Sequence, residues 1–126
     1  MMFTRLSGVL LAVALPFAVT GVASARPDTA LTLTVVSSEG WAAAVQLFCD
    51  PPRGPHPNAR RACAEIHLAQ GDFDSLPGSR PMICTMQYVP VVATAEGTWR
   101  GVPVDWEREF GNPCTMRNET GRVFAF

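Results

Sequence analysis

The residues with the clearest potential for chemistry lie in one short segment, 82–90, which contains a cysteine, two methionines and a closing proline. Cys84 stands two residues before Met86. A disulfide at Cys84 would fix this stretch of backbone, while Met86 would project outward as an exposed apolar side chain. An apolar side chain on an anchored, extended backbone suits a partner that reads single residues through a pocket, and such a partner is most often a protease.

Residues 1–25 have the layout of a secretory signal peptide. An uncharged apolar run covers residues 6–19, and Ala23-Ser24-Ala25 is a small-residue cleavage site. We predict cleavage after this site, so that residues 26–126 form one domain that is secreted to the extracellular space. The alternative is a retained membrane anchor, which the shortness of the apolar run disfavours.

Four cysteines in such a chain predict two disulfides, because small secreted domains commonly depend on them. Three pairings are possible from the sequence alone, and the simplest joins neighbours, Cys49 with Cys63 and Cys84 with Cys114. On the loop-entropy model each bridge would stabilise the domain by about 3–4 kcal/mol. That is a large share of the net stability of a folded domain, which is about 5–15 kcal/mol.

The elements that must position segment 82–90 begin with two predicted strands and a helix. Residues 31–36 combine apolar residues with threonine in alternation, and residues 41–49 form a mainly apolar run that ends at a cysteine. The alanines of the second stretch also suit a helix, but we favour a strand that ends at Cys49. Asn58 is the predicted N-cap of a helix that ends at Gly71. That helix and the turn after it should contribute to the core through Ala62, Cys63, Ile66, Ala69, Phe73 and Leu76.

The C-terminal half predicts a hairpin, a second helix and a last strand. The hairpin covers residues 91–100 and turns at Glu96-Gly97. The helix covers residues 105–110, with Asn112-Pro113 as its stop signal. Residues 122–126 alternate again and predict a terminal strand. This order of elements indicates an α+β domain with an antiparallel sheet.

The remaining candidate metal ligands do not form a recognisable site. Cys49, Cys63 and His67 suit zinc by residue type, but the spacing between the two cysteines is poor for a structural zinc motif. Asp72 and Asp74 supply too few carboxylates for a calcium loop and are expected to be turn residues. We therefore predict no metal and no cofactor.

Charge and residue patterns also argue against two broad functional classes. The chain has a formal net charge of −1 and no basic stripe, so we expect no nucleic acid as a partner. Glu107 and Glu109 occupy alternate positions of the predicted second helix and would point apart, as a solvated face rather than a catalytic carboxylate pair. Since the pattern contains no recognisable set of nucleophile, base and orienting group, we predict that the protein is not an enzyme.

Several short strings resemble, in their order and separations, the Streptomyces subtilisin inhibitor family. The resemblance covers the whole of residues 26–126 and includes the spacing of the four cysteines. The strings that carry it are Ala62-Cys63-Ala64, Gly71-Asp72-Phe73, Met82-Ile83-Cys84-Thr85-Met86, Tyr88-Val89-Pro90-Val91, Gly97-Thr98-Trp99-Arg100-Gly101, Trp106-Glu107-Arg108-Glu109-Phe110, Asn112-Pro113-Cys114-Thr115-Met116 and Val123-Phe124-Ala125-Phe126.

The resemblance implies a fold, an assembly and an activity. The family has a five-stranded antiparallel sheet with two helices on one face, and its disulfides correspond to Cys49–Cys63 and Cys84–Cys114. Its members are secreted homodimers that pair through the sheet, so we expect a homodimer and no membrane association of the mature form. They inhibit subtilisin-like serine proteases, and some also inhibit chymotrypsin-like or trypsin-like enzymes.

By the same resemblance the reactive bond is Met86–Gln87, because the family's bond follows the second residue after the third cysteine. Met86 would enter the primary specificity pocket, where its flexible thioether suits an apolar cavity, and Ile83 would occupy a second hydrophobic subsite. The loop departs from the family pattern at Thr85, where proline is common, and at Gln87, where a small or β-branched residue is expected. The predicted protease-binding loop comprises Met82, Ile83, Cys84, Thr85, Met86, Gln87 and Tyr88.

Two other interpretations stay open on the sequence alone. Met86 could be an ordinary core residue, since buried methionine is common. The protein could also be a non-inhibitory secreted binding module, or the substrate of an extracellular cross-linking enzyme. Gln70 and Gln87 are the candidate side chains for such cross-linking.

Overall fold

A four-stranded antiparallel sheet forms the centre of the computed structural model, which describes residues 12–21, 28–79 and 82–126. The described residues also contain two α-helices and a short 3₁₀ turn. The elements are β1 (Thr29–Ser37), β2 (Ala42–Cys49), α1 (Ala59–Leu68), the 3₁₀ turn (Phe73–Ser75), β3 (Val91–Trp99), β4 (Val102–Phe110) and α2 (Pro113–Thr120). The spatial order of the strands is β2-β1-β3-β4.

Both helices contribute to a core on one face of the sheet, where the apolar side chains of alternate strand positions collect. In β1, Leu31, Leu33 and Val35 are buried, while Thr32 and Val36 on the opposite face are exposed, as the two-residue period of a strand requires. Each large aliphatic side chain buried in this way contributes about 1.5–3 kcal/mol. The helices add Ala62, Cys63 and Ile66 from α1 and Met116 from α2 to the same core.

The sheet has four strands, so the expectations of a five-stranded sheet and of a terminal strand at residues 122–126 are wrong. The C-terminal segment turns instead, and the Val123 N–H donates to the Thr120 carbonyl at 3.3 Å. Val123 and Phe124 are both buried although they are consecutive. A strand directs consecutive side chains to opposite faces, so this segment can bury both only by leaving strand geometry.

Residues 105–110, predicted as a helix, belong to β4. In a strand, Trp106, Arg108 and Phe110 share one face, which brings the two aromatic side chains towards the core and leaves Glu107 and Glu109 on the helix-free face. Pairing with β3 along the whole strand outweighs the helix propensity of the charged residues. The two glutamates therefore share a face rather than pointing apart, and both are exposed to solvent.

The hairpin between β3 and β4 turns at Arg100-Gly101 rather than at the predicted Glu96-Gly97. Both turn residues have positive φ angles, 47° and 77°, as a two-residue type I′ turn requires. Gly97 lies inside β3, where a Cβ atom would meet the carbonyl oxygen of Ala30 at 2.1 Å. Glycine is needed at this position for the close approach of β3 to β1, and in the sequence it looks like a turn residue.

Asn112-Pro113 begins a helix, α2, although the sequence pattern suggested that this pair ends one. The Asn112 Oδ1 accepts from the Thr115 backbone N–H at 2.8 Å, which makes Asn112 the N-cap. Pro113 follows in the first turn, where a missing N–H costs nothing. The prediction therefore placed a helix on the wrong side of this boundary.

The rest of the predicted framework is confirmed. The predicted strands at 31–36 and 41–49 lie in β1 and β2, and α1 lies within the predicted helix with the expected face buried. The chain contains both neighbour-paired disulfides, Cys49–Cys63 and Cys84–Cys114. With both cysteines of the first pair oxidised, the zinc alternative is excluded.

The predicted signal peptide lies largely outside the described residues. Residues 12–21 have no regular secondary structure. Within the described parts of the chain, no helix is long and apolar enough to cross a membrane. The cleavage site at Ala23-Ser24-Ala25 is not among the described residues, so the signal peptide and the domain boundary at residue 26 stay predictions.

His56 connects the loop before α1 to the C-terminal segment. The buried ring donates from Nε2–H to the Val123 carbonyl at 2.8 Å and accepts at Nδ1 from the Asn58 N–H at 2.9 Å. Since a carbonyl only accepts and an amide N–H only donates, both bonds require the neutral ring with its proton on Nε2. Burial lowers the pKa of His56 below its ordinary value, and the hydrogen bond to Val123 opposes that shift.

We expect the protein to lose stability as the pH falls from about 6.5 towards the lowered pKa of folded His56. In that window the unfolded chain binds the proton more readily than the folded one, so the free energy of unfolding decreases as the pH falls. The contribution of His56 is fully present only above the pKa of the unfolded chain. Urea unfolding between about pH 7 and pH 5 measures this slope.

The matched variants for this experiment are His56→Gln and His67→Gln. The first keeps a donor but does not titrate, so it should flatten the slope, and loss of the Asn58 bond should lower stability by about 1 kcal/mol at neutral pH. The second makes the same change at an exposed ring and should leave the slope in place. An unchanged slope in His56→Gln would contradict the role assigned to the buried ring.

Candidate functional site

Segment 82–90 carries no regular secondary structure and presents its apolar side chains to solvent. Ile83 and Met86 are 102% and 100% exposed, and Met82 and Tyr88 are also exposed. Large apolar side chains gathered on a surface are typical of a binding site. The alternative that Met86 is a core residue is therefore wrong.

A disulfide anchors this segment to α2 on the N-terminal side of Met86. Cys84 is bonded to Cys114, the second residue of α2, with the two Cα atoms 5.7 Å apart. The same helix packs into the core through Met116. The backbone two residues before Met86 is thus covalently fixed to a helix end that cannot move without disturbing the core.

Asn112, the N-cap of α2, holds the backbone on both sides of Met86. Its Nδ2 group donates to the Gln87 carbonyl at 2.9 Å and, more weakly, to the Thr85 carbonyl at 3.4 Å. Its Oδ1 accepts from the Thr115 backbone N–H, so the side chain is itself fixed by the helix. One side chain of α2's N-terminus therefore restrains the peptide groups on both sides of Met86.

Asn118 holds the start of the segment from the other end of α2. Its Oδ1 accepts from the Met82 N–H at 3.1 Å and its Nδ2 donates to the Met82 carbonyl at 2.9 Å, which imitates the pairing of a neighbouring strand. Gly78 approaches the same helix so closely that a Cβ atom would lie 2.2 Å from the Asn118 carbonyl oxygen. At the other end of the segment, the Val89 N–H donates to the Gly111 carbonyl at 2.9 Å.

The structure places the seven predicted loop residues in one exposed segment and adds two asparagines that the sequence reading missed. The sequence pattern predicts Asn112 as part of a helix stop and predicts no role for Asn118 in the loop. A signal for Asn112 was present, because asparagine followed by proline is a common start of a helix, and Cys114 comes directly after it. Asn118 offered no comparable signal, since its role depends on α2 being a helix.

The other candidate residues have structural roles. Asp72 is a turn residue, as predicted, with Oδ1 accepting from the Asp74 N–H at 3.0 Å. Asp74 accepts from the Trp106 Nε1–H at 2.9 Å, and His67 lies 2.8 Å from the Arg100 guanidinium. Among the described residues, no group of three or more His, Cys, Asp or Glu side chains is placed to hold a metal ion.

The sequence and the fold both match known protease inhibitors. Residues 27–112 match the family described as subtilisin inhibitor-like. The chain belongs to this family. A subtilase-type protease inhibitor from Streptomyces fradiae is 48% identical over 103 residues, which cover 76% of this chain and 72% of the relative. Subtilisin inhibitor-like protein 5 from the same organism is 45% identical over 103 residues, which cover 81% of this chain and 91% of the relative.

A solved structure supports the same family fold. The crystal structure of Streptomyces caespitosus sermetstatin in complex with Bacillus licheniformis subtilisin matches with a TM-score of 0.64 and 31% identity, over 77% of this chain and 97% of that chain. The α+β arrangement with two helices, two disulfides and an antiparallel sheet is therefore the subtilisin inhibitor-like fold. Its relatives are named as protease inhibitors, and the protein is accordingly not an enzyme.

Proposed function

We propose that this protein is a secreted inhibitor of subtilisin-like serine proteases, and that it acts through the Met86–Gln87 bond. The observation that carries the proposal is the full exposure of Met86 between two anchors, the Cys84–Cys114 disulfide and the Asn112 side chain. The names of the relatives and the complex of sermetstatin with subtilisin support the class of protease.

The exposed side chains of the loop fit the apolar subsites of such an enzyme. Met86 would fill the primary specificity pocket and Ile83 a second hydrophobic subsite. Both already project fully into solvent, so they can enter pockets without rearrangement of the core. A loop that is ordered before binding avoids much of the entropy cost of ordering on the enzyme, and the affinity increases accordingly.

The same anchors explain why the loop would inhibit the enzyme rather than be consumed. On attack, the catalytic serine oxygen bonds to the Met86 carbonyl carbon, and Gln87 leaves with a new amino group. Gln87 stays close because its carbonyl is bonded to Asn112, and the acyl half stays close because Cys84 is bonded to Cys114. The amine can then attack the ester at a high effective concentration, so the peptide bond re-forms faster than water hydrolyses the ester.

The two departures from the family pattern are compatible with this mechanism. Thr85 lacks the fixed φ angle that a proline would supply. The hydrogen bonds from Asn112 to the carbonyls of Thr85 and Gln87 restrain the backbone next to this position instead. The Gln87 side chain is exposed, and the hydrogen bond from Asn112 that anchors this residue uses its backbone carbonyl.

Secretion and assembly complete the proposal. We propose that residues 1–25 are a signal peptide removed before Arg26, and that the mature chains pair as a homodimer through the helix-free face of the sheet. The 46% exposure of Val36 on that face supports an interface there. N-terminal sequencing of the exported protein and sedimentation of the mature chain test these two points.

Titration of subtilisin is the decisive experiment. When enzyme of known active-site concentration is mixed with rising amounts of residues 26–126, activity should fall linearly and vanish near one inhibitor chain per enzyme. Full activity at equimolar protein would refute the proposal. Inhibition that fades as the Met86–Gln87 bond is cut would show a substrate rather than an inhibitor.

A further inference from the structure

A cavity of about 860 Å³ opens beside the start of the protease-binding loop. It lies between α1, the chain that leads into the loop, the end of α2 and the C-terminal segment. The residues that matter for its chemistry are Arg61 and Glu65 from α1, Met82 from the loop, and Arg117, Arg122 and Phe126. The binding loop and this cavity therefore share a wall at Met82.

The acidic residue of the cavity is already engaged by the protein. Glu65 accepts from the Arg122 backbone N–H at 2.7 Å, and it packs so closely on Gly121 that a Cβ atom there would lie 2.6 Å from the carboxylate. Burial raises the pKa of the Glu65 carboxyl, while the Arg122 N–H and the positive charge of Arg61 oppose that shift. Glu65 thus holds the C-terminal segment, and its single carboxylate shares the cavity with three arginines.

No salt bridge joins a cavity arginine to an acidic side chain in the described part of the chain. The ion pairs found there join Arg100 to Asp50 and Arg108 to Glu119, and neither pair lines the cavity. The guanidinium groups of the cavity come from three different places, α1, α2 and the C-terminal segment. Such groups can donate paired hydrogen bonds to a single carboxylate.

We infer that this cavity receives a carboxylate side chain of the bound protease and extends recognition beyond the loop. The inference rests on the proposed function, because binding at Met86 is what brings the protease to the cavity. Met82 precedes Met86 by four residues, so an extended chain places them at most about 14 Å apart. A protease that grips Met86 and Ile83 therefore overlies the rim at Met82, and an acidic residue on that part of its surface faces the arginines.

A matched pair of double variants tests the inference. Arg61→Gln/Arg117→Gln removes two positive charges from the cavity. Arg53→Gln/Arg60→Gln removes the same charge elsewhere, since the Arg53 guanidinium lies over the Phe48 ring and Arg60 lines a different surface depression. Association rates and dissociation constants are measured for both variants and the wild type against one acidic and one basic subtilisin, at low and at physiological salt.

With the acidic subtilisin at low salt, the cavity variant should associate about 10-fold more slowly than the wild type, because steering by charge and the new ion pairs are both lost. The control variant should change by less than about 2-fold, and added salt should shrink the difference. With the basic subtilisin the two variants should behave alike. Both variants should still reach the one-to-one endpoint, because the loop is untouched.

The outcomes separate this inference from the proposed function. If the wild type inhibits both enzymes and the two double variants weaken equally against the acidic one, the cavity has no specific role and the inference is overturned. If the wild type inhibits neither subtilisin, the proposed function fails and the inference fails with it.

Discussion

Met86→Lys is expected to turn the protein into an inhibitor of trypsin while weakening its inhibition of subtilisin. The trypsin pocket has an acid at its base, which a lysine side chain can pair with and a thioether cannot. Leaving one partner of such a buried charge pair unpaired costs about 2–5 kcal/mol. The inhibition constant for trypsin should therefore improve by at least about 30-fold, and it is measured beside that for subtilisin.

Met82→Lys is the matched control for this prediction. It places the same charge on another exposed methionine of the same loop, four residues upstream. If Met86 is the residue that enters the primary pocket, only Met86→Lys should gain trypsin inhibition. Equal gains of trypsin inhibition in the two variants would mean that charge on the loop acts non-specifically. A gain in Met82→Lys alone would indicate that the reactive bond follows residue 82 rather than residue 86.

The exposed loop could be predicted because its features are local. Pro81 and Pro90 stand at the ends of the segment, Cys84 lies within it, and its apolar residues follow no helical or strand period that would bury them. The two strands at 31–36 and 41–49 were equally accessible from the sequence. The first alternates strongly, the second is a mainly apolar run that ends at a cysteine, and neither contains a turn signal.

The C-terminal half could not be predicted in the same way because tertiary contacts override its local signals. Gly97 looks like a turn residue, but it is required by the approach of β3 to the Ala30 carbonyl. Residues 105–110 are rich in helix formers, but they pair with β3 along their whole length. Val123 and Phe124 look like part of a strand, but both are needed in the core.

The candidate site was predictable as far as the loop itself and no further. The role of Asn112 follows only once α2 is placed after it, because its Oδ1 must be fixed by the helix before its Nδ2 can hold the loop. The partnership of Asn118 with Met82 joins residues 36 apart in the chain. No spacing rule for single sequences connects such positions, so the rigidity of the loop is visible only in the structure.

Removing the loop disulfide is expected to convert the inhibitor into a substrate. In Cys84→Ser/Cys114→Ser, no covalent bond holds the acyl half at α2 after attack, so the Gln87 amine competes poorly with water. The rate of net cleavage should rise by about 100-fold or more, since close positioning can contribute far larger factors. Subtilisin activity should first fall and then recover as the variant is cut, which mass spectrometry of the products would follow.

Cys49→Ser/Cys63→Ser separates this effect from a general loss of stability. The two bridges close loops with sequence separations of 14 and 30, for which chain entropy predicts losses of about 3 and about 3.7 kcal/mol. The two variants should thus be destabilised to similar extents, but only the loop variant should be cut rapidly. Asn112→Ala should fall between that variant and the wild type, because it removes hydrogen bonds to the loop while leaving Cys84 bonded.

Rapid cleavage of both cysteine variants would contradict the mechanism, because local unfolding of a weakened domain would then expose the bond in both. Slow cleavage of both would mean that the Asn112 and Asn118 hydrogen bonds hold the loop without help from the disulfide. Rapid cleavage of the loop variant alone is the result that the geometry predicts. Cys114 lies two residues after Asn112, so one helix end holds both halves of the Met86–Gln87 bond.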